Sequence, residues 1–181
     1  MEKLMTVCKK QQNIKGGFTL LELILVMVIL STVLAMAAPS LRGFFGSRKT
    51  HDTASQILSL TQFARSQAIS EGIIYRLNFD TRERTYWLTA QKSGTFEMLN
   101  TEFGQIFTLP SDIALELKGA EEEGYEVFFI FTPQGIVTAG IIRLIDRRGL
   151  ALEVTCPTVT ESFYIIECEY SNGRYFSKQN G

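Results

Sequence analysis

The 181 residues include one histidine, one tryptophan, four prolines and three cysteines, and each scarcity removes a class of function. The lone histidine, His51, has no second imidazole to share a metal with, and no C-x-x-C or His/Cys ligand spacing occurs, so neither a zinc centre nor a dithiol redox site is indicated. No G-x-S-x-G elbow and no phosphate-binding Walker loop is present. No metal or organic cofactor is implied. With 18 basic and 19 acidic residues and a formal charge of -1, the chain lacks the excess of one sign that marks a general polyanion binder. A hydrolase built on two carboxylates needs none of these motifs, and a membrane-anchored periplasmic enzyme of that kind is the remaining catalytic alternative. His51 reads as a solvated residue.

What the chain has is a long apolar run. From Phe18 to Ala38, 21 residues contain only Thr19, Glu22, Ser31 and Thr32 as polar members, and a helix of that length spans roughly 31 Å, the thickness of a hydrocarbon core. Lys9, Lys10 and Lys15 precede it, so the positive-inside bias keeps that end cytoplasmic and sends the bulk of the chain across. A cleaved secretory signal competes, because Ala35-Met36-Ala37 has the small-residue pattern of a cleavage site. Against it, the run exceeds the roughly 7–15 apolar residues of a signal core, and helical patterning continues beyond Pro39. A plain uncleaved anchor explains neither Gly16-Gly17-Phe18 nor Glu22, a carboxylate that costs about 2.5–3.5 kcal/mol at the centre of a membrane helix.

A basic leader ending in Gly17, then Phe18-Thr19-Leu20-Leu21-Glu22 and the apolar run, resembles the class III signal of type IV pilins and type II secretion pseudopilins. That resemblance implies cleavage by a prepilin peptidase between Gly17 and Phe18 and N-methylation of the new Phe18 amine. It also implies a register role for Glu22, pairing with the Phe18 amine of a neighbouring subunit. Burial of a carboxylate is tolerable mainly when it is paired in this way. The local alternative for Glu22 is contact with lipid head groups.

Beyond the run, Pro39 removes a backbone donor and is expected to kink the helix without ending it. Ala54, Ile57, Leu58, Thr61, Ala64, Ala68 and Ile69 recur at helical spacing, which carries the helix to about Glu71, with Gly72 as its stop. The period then changes to two. Strands are expected at Ile73 to Asp80, Thr85 to Ala90, Asp112 to Lys118, Tyr125 to Thr132, Gly140 to Asp146, Leu150 to Cys156 and Phe163 to Tyr170. Residues 93–105 read as an irregular loop, Glu121-Glu122-Glu123 as a solvated one, and the C-terminus as a frayed tail.

The expected organisation is a basic leader (1–17), a transmembrane or filament-core helix (18–38) and a periplasmic head (39–181). Its fold class is α+β: one helix, amphipathic in its second half, packed on antiparallel sheets. Ala64-Arg65-Ser66-Gln67-Ala68-Ile69, Phe131-Thr132-Pro133-Gln134-Gly135 and the strand Ile141-Ile142-Arg143-Leu144 resemble the GspH/FimT group of minor pseudopilins and pilins within that superfamily. That resemblance implies a structural subunit of a type II secretion pseudopilus. Its partners would be prepilin peptidase, major and minor pseudopilins, an inner-membrane assembly platform and secreted substrates. The alternative is a FimT/FimU-type minor type IV pilin acting in pilus assembly or DNA uptake, with Arg147, Arg148 and Arg174 as DNA contacts. Removing residues 1–17 leaves 14 basic against 18 acidic residues, which disfavours a polyanion surface. Cys156 and Cys168 are the pair that an exported head could bridge.

Overall fold

The computed structural model describes residues 17–171 and 174–177, with backbone alone for 37–47, 169–171, 174, 176 and 177. The chain divides into two compact units, Met1–Leu41 and Arg42–Gly181. Helix α1 spans Leu20–Glu71, its backbone helical through Pro39. In the first unit its apolar side chains are exposed, from Leu20 at 78% to Met36 at 82%. Among the described residues no helix is long and apolar enough to cross a membrane. The expected span, 18–38, lies partly outside the fully described residues, whose side chains stop at Met36 on this side.

The second unit is the head. Its part of α1 buries Ala54, Ile57, Leu60, Ala64 and Ala68, with Leu58 half-buried, while Ile69, expected on the same face, is 54% exposed. Ile69 lies in the final turn, beyond which Gly72 adopts a positive φ and returns its N–H to the Ala68 carbonyl. That geometry closes a helix, and glycine adopts it without strain.

Eleven strands follow: β1 (Tyr75–Asp80), β2 (Thr85–Lys92), β3 (Thr95–Met98), β4 (Phe107–Thr108), β5 (Ile113–Lys118), β6 (Glu121–Glu123), β7 (Glu126–Phe131), β8 (Gly140–Asp146), β9 (Ala151–Cys156), β10 (Tyr164–Ser171) and β11 (Arg174–Ser177). They form two sheets, β3-β2-β1-β7-β6 with β4 beside β2, and β11-β10-β9-β8-β5. All the pairings are antiparallel. Alternation selects the inner faces: Tyr75, Leu77, Phe79, Leu88, Phe129 and Phe131 from the first sheet, and Ile142, Leu144, Leu152 and Val154 from the second, share one core with α1. The expected α+β layering is therefore what the chain adopts. Every long strand lies within two residues of its expected bounds.

Three expectations are corrected. Residues 93–105 hold β3 and a 3-10 turn, Glu102–Gly104, whose Phe103 stacks on Phe63 of α1 at 4.1 Å between ring centroids. The acidic run is strand β6, paired with β7 and tied by Glu123 to Arg76 at 3.4 Å. Arg76 in turn lies between the rings of Phe96 and Phe128, at 3.7 and 4.2 Å. Cation–π contact and one ion pair give a solvated acidic segment a reason to remain a strand. Residues 174–177 pair with β10 rather than fraying.

Candidate functional site

Four groups of residues could carry function: the Gly17–Phe18 junction, the cysteines, the charged cluster on the second sheet, and the basic residues at the turns.

Gly17 to Thr19 lie ahead of the helix and are exposed, Phe18 at 80%. A Cβ on Gly17 would meet nothing within 4 Å among the described residues. Thr19 caps the helix: its Oγ1 accepts from the Glu22 N–H at 3.2 Å and its carbonyl from Leu23 N–H at 3.2 Å. Thr19-Leu20-Leu21-Glu22 thus has the S/T-x-x-E form of a capping box, which the sequence displays and the reading of Glu22 as a filament residue passed over. Glu22 sits in the first turn, exposed, where the helix macrodipole favours a negative charge. Residues 1–16 of the leader, with Cys8 and the lysines, are outside the described residues.

Cys156 and Cys168 are both buried and free, so the bridge that an exported head could make between them is not made. The register sets Cys168 opposite Ala151, five residues along β9 from Cys156, or roughly 16 Å at the strand rise. A disulfide needs Cα atoms within about 7 Å. Cys156 instead donates its thiol to the carbonyls of Thr158 and Glu161, at 3.1 and 3.4 Å. Burial pushes the Cys168 thiol up to about 11, and the neighbouring Glu153 adds to the shift.

On the outer face of the second sheet, Arg143 of β8 donates to Glu153 of β9 at 2.7 Å and to Glu116 of β5 at 2.6 Å. Tyr175 of β11 lies 4.6 Å from the guanidinium. Arg143 and Glu153 are 10% and 8% exposed, Glu116 44%. One buried cation therefore holds three strands in register and stacks on a fourth. The residues alternate outward along strands that sequence patterning finds, but their meeting depends on strand order, which patterning does not give.

Arg147 and Arg148 are exposed in the β8–β9 turn; Arg148 pairs with Asp146 at 3.6 Å. Asp146 Oδ1 accepts from the N–H groups of Arg148 and Leu150, fixing the turn. Arg174 opens β11 opposite Ser171, at the end of β10 that runs past Ala151, so all three arginines belong to one end of the second sheet.

Two tyrosines set an alkaline limit. Burial raises Tyr86 to about 12, and Tyr75 reaches about 12 through burial and its hydrogen bond to Glu71. An unfolded tyrosine titrates near 10. The protonated native forms stabilise the head fully below about pH 10, and that contribution is lost as pH rises through 12. Urea midpoints should be flat to pH 9 and fall between 10 and 12, with a shallower fall in Tyr86→Phe. An identical alkaline slope in that variant would remove Tyr86 as a cause.

Residues 13–38 match the family described as the prokaryotic N-terminal methylation motif. No curated protein matches the sequence. Two solved structures of the minor pseudopilin EpsH from the type 2 secretion system of Vibrio cholerae are similar in fold. One has a TM-score of 0.57 at 13% identity, covering 66% of this chain and 97% of its own. The other has a TM-score of 0.50 at 12% identity, covering 74% and 96%. The chain thus joins a prokaryotic N-terminal methylation motif to the α+β, pilin-like fold of these minor pseudopilins.

Proposed function

We propose that this chain is a minor pseudopilin, a structural and non-enzymatic subunit of the periplasmic pseudopilus of a type II secretion system. The observation that carries the reading is the methylation motif at 13–38 on a chain whose head has the EpsH fold. Prepilin peptidase cuts between Gly17 and Phe18, at a junction that is exposed and not yet helical. Phe18 is then N-methylated. The apolar residues that follow, exposed in the single chain, are held first by the inner membrane and then by other pseudopilins in the filament core, with the head in the periplasm. Glu22 sets axial register by pairing with a neighbour's Phe18 amine. Pro39 cannot donate to the Ala35 carbonyl, which makes the helix softer there.

Mass spectrometry of the protein from cells that hold prepilin peptidase tests this directly. The expected mature terminus is N-methyl-Phe18. A terminus at Ala38, or an intact leader, would overturn the assignment.

A further inference from the structure

We propose that the β9–β10 turn, residues 157–162, is a strap that opens as one unit, and that Arg65 of α1 is the latch that holds it shut. The segments Ala64 to Ile69 and Phe131 to Gly135, to which cleavage and methylation give no role, meet beside this turn. The device lies within the head and is independent of the subunit's place in a filament.

Three groups outside the turn tie it down. Arg65 donates from its two Nη atoms, one to the Ser162 hydroxyl and the other to the Thr160 carbonyl at 2.8 Å. At the foot of the turn, the buried Cys156 directs its thiol to the carbonyls of Thr158 and Glu161. From the β7–β8 connection, the Val137 N–H donates to the Val159 carbonyl at 2.8 Å. All six residues of the turn are exposed, so apolar burial contributes little and polar ties carry most of its local stability. The thiol offers one weak donor to two carbonyls, and the Val137 amide is neutral, so the charged, two-armed guanidinium is the strongest of the three. Within the turn the Glu161 N–H donates to the Thr158 carbonyl at 3.2 Å, which makes it a single body.

Its neighbours show what the latch controls. Val159 forms one wall of a recess of about 500 Å³, whose other walls include Ile130, Ile136 and Ala139. A Cβ on Gly135 would lie 3.5 Å from Ile69 Cδ1 and 3.9 Å from Arg65 Nη2, so the β7–β8 connection packs on the last turns of α1 beside the latch. Lifting the strap takes Val159 out of the wall, widens the recess and uncovers the Cys156 thiol. Arg65 belongs to α1 and its acceptors to the turn of the second sheet. A small shift of the helix against that sheet breaks both hydrogen bonds, which depend on distance and angle, before it undoes the non-directional burial of Ala64 and Ala68. The strap therefore reads the seating of α1 on the second sheet.

Thiol accessibility in the detergent-solubilised full chain tests the strap. Alkylation of Cys156 by iodoacetamide is followed by peptide mass spectrometry, with Cys168 as an internal control, because it is also buried but lies opposite Ala151, away from the turn. Hydrogen exchange at the Val137 and Glu161 amides, whose acceptors belong to the strap, gives a second readout. In Arg65→Met, Cys156 alkylation and exchange at both amides are expected to rise about tenfold, with Cys168 and the amides of β8 and β9 at their original rates. Ser162→Ala removes the acceptor of one arm at an exposed position and should raise the same signals about threefold. Unchanged Cys156 alkylation in Arg65→Met would overturn the latch. A rise shared equally by Cys168 and by β8 and β9 would mean that the head opens only as a whole, and would overturn the strap as a separate unit.

Discussion

Arg143→Met is expected to lower the unfolding free energy of the head by about 3–5 kcal/mol, seen as a large drop in the urea midpoint with little change in slope. The reason is the company Arg143 keeps. Glu153 is 8% exposed, and without its guanidinium partner it is left as a desolvated carboxylate with nothing to neutralise it. Glu116, 44% exposed, can turn to water, so Glu116→Gln should cost no more than about 1 kcal/mol. Replacing both buried partners, in Arg143→Met with Glu153→Leu, should recover most of the loss, because an apolar pair of similar volume avoids desolvating either charge. A single-variant loss below about 1 kcal/mol would mean that water reaches Glu153, and would remove the cluster as the tie between β5, β8 and β9.

Glu22→Ala is expected to leave membrane insertion and leader cleavage intact and to abolish incorporation into filaments, scored by cross-linking to other pseudopilins. Two roles for Glu22 must be separated. Locally it lies in the first turn of α1, where charge–dipole attraction contributes about 0.3–1 kcal/mol, and Thr19 supplies the side-chain cap. Thr19→Ala removes that cap at a cost of about 1 kcal/mol yet keeps the carboxylate, so assembly should survive it. Glu22→Gln keeps the shape and loses the charge; it should fail as Glu22→Ala does. Normal assembly of Glu22→Ala, or equal failure of Thr19→Ala, would show that helix initiation rather than pairing between subunits is what the motif provides at this position.

The start of α1 could be placed because its chemistry is local. A glycine before an apolar helix, a threonine cap and an acidic residue three positions later act within a single turn, so their order in the chain is their order in space. The long strands were legible for the same reason: inward and outward positions alternate with period two whatever the sheet order. Ile69 misled because helical spacing says which residues share a face, not where along α1 the sheets stop covering it. The run Glu121 to Glu123 misled because charge suggested a solvated loop, while its fate depended on β7 and on an arginine forty-seven positions earlier.

Sequence by itself determined the apolar helix, its stop at Gly72, and the α+β class, since each follows from backbone geometry and hydrophobic period within a few residues. Tertiary structure alone decided that Cys156 and Cys168 stay free, that Arg143 binds Glu116 and Glu153, and that Arg65 of α1 meets the β9–β10 turn. Those outcomes depend on strand order and register. Shifting a strand by two residues keeps every side chain on its face, so hydrophobic period cannot report it, yet it moves a partner by almost 7 Å, enough to make or break an ion pair.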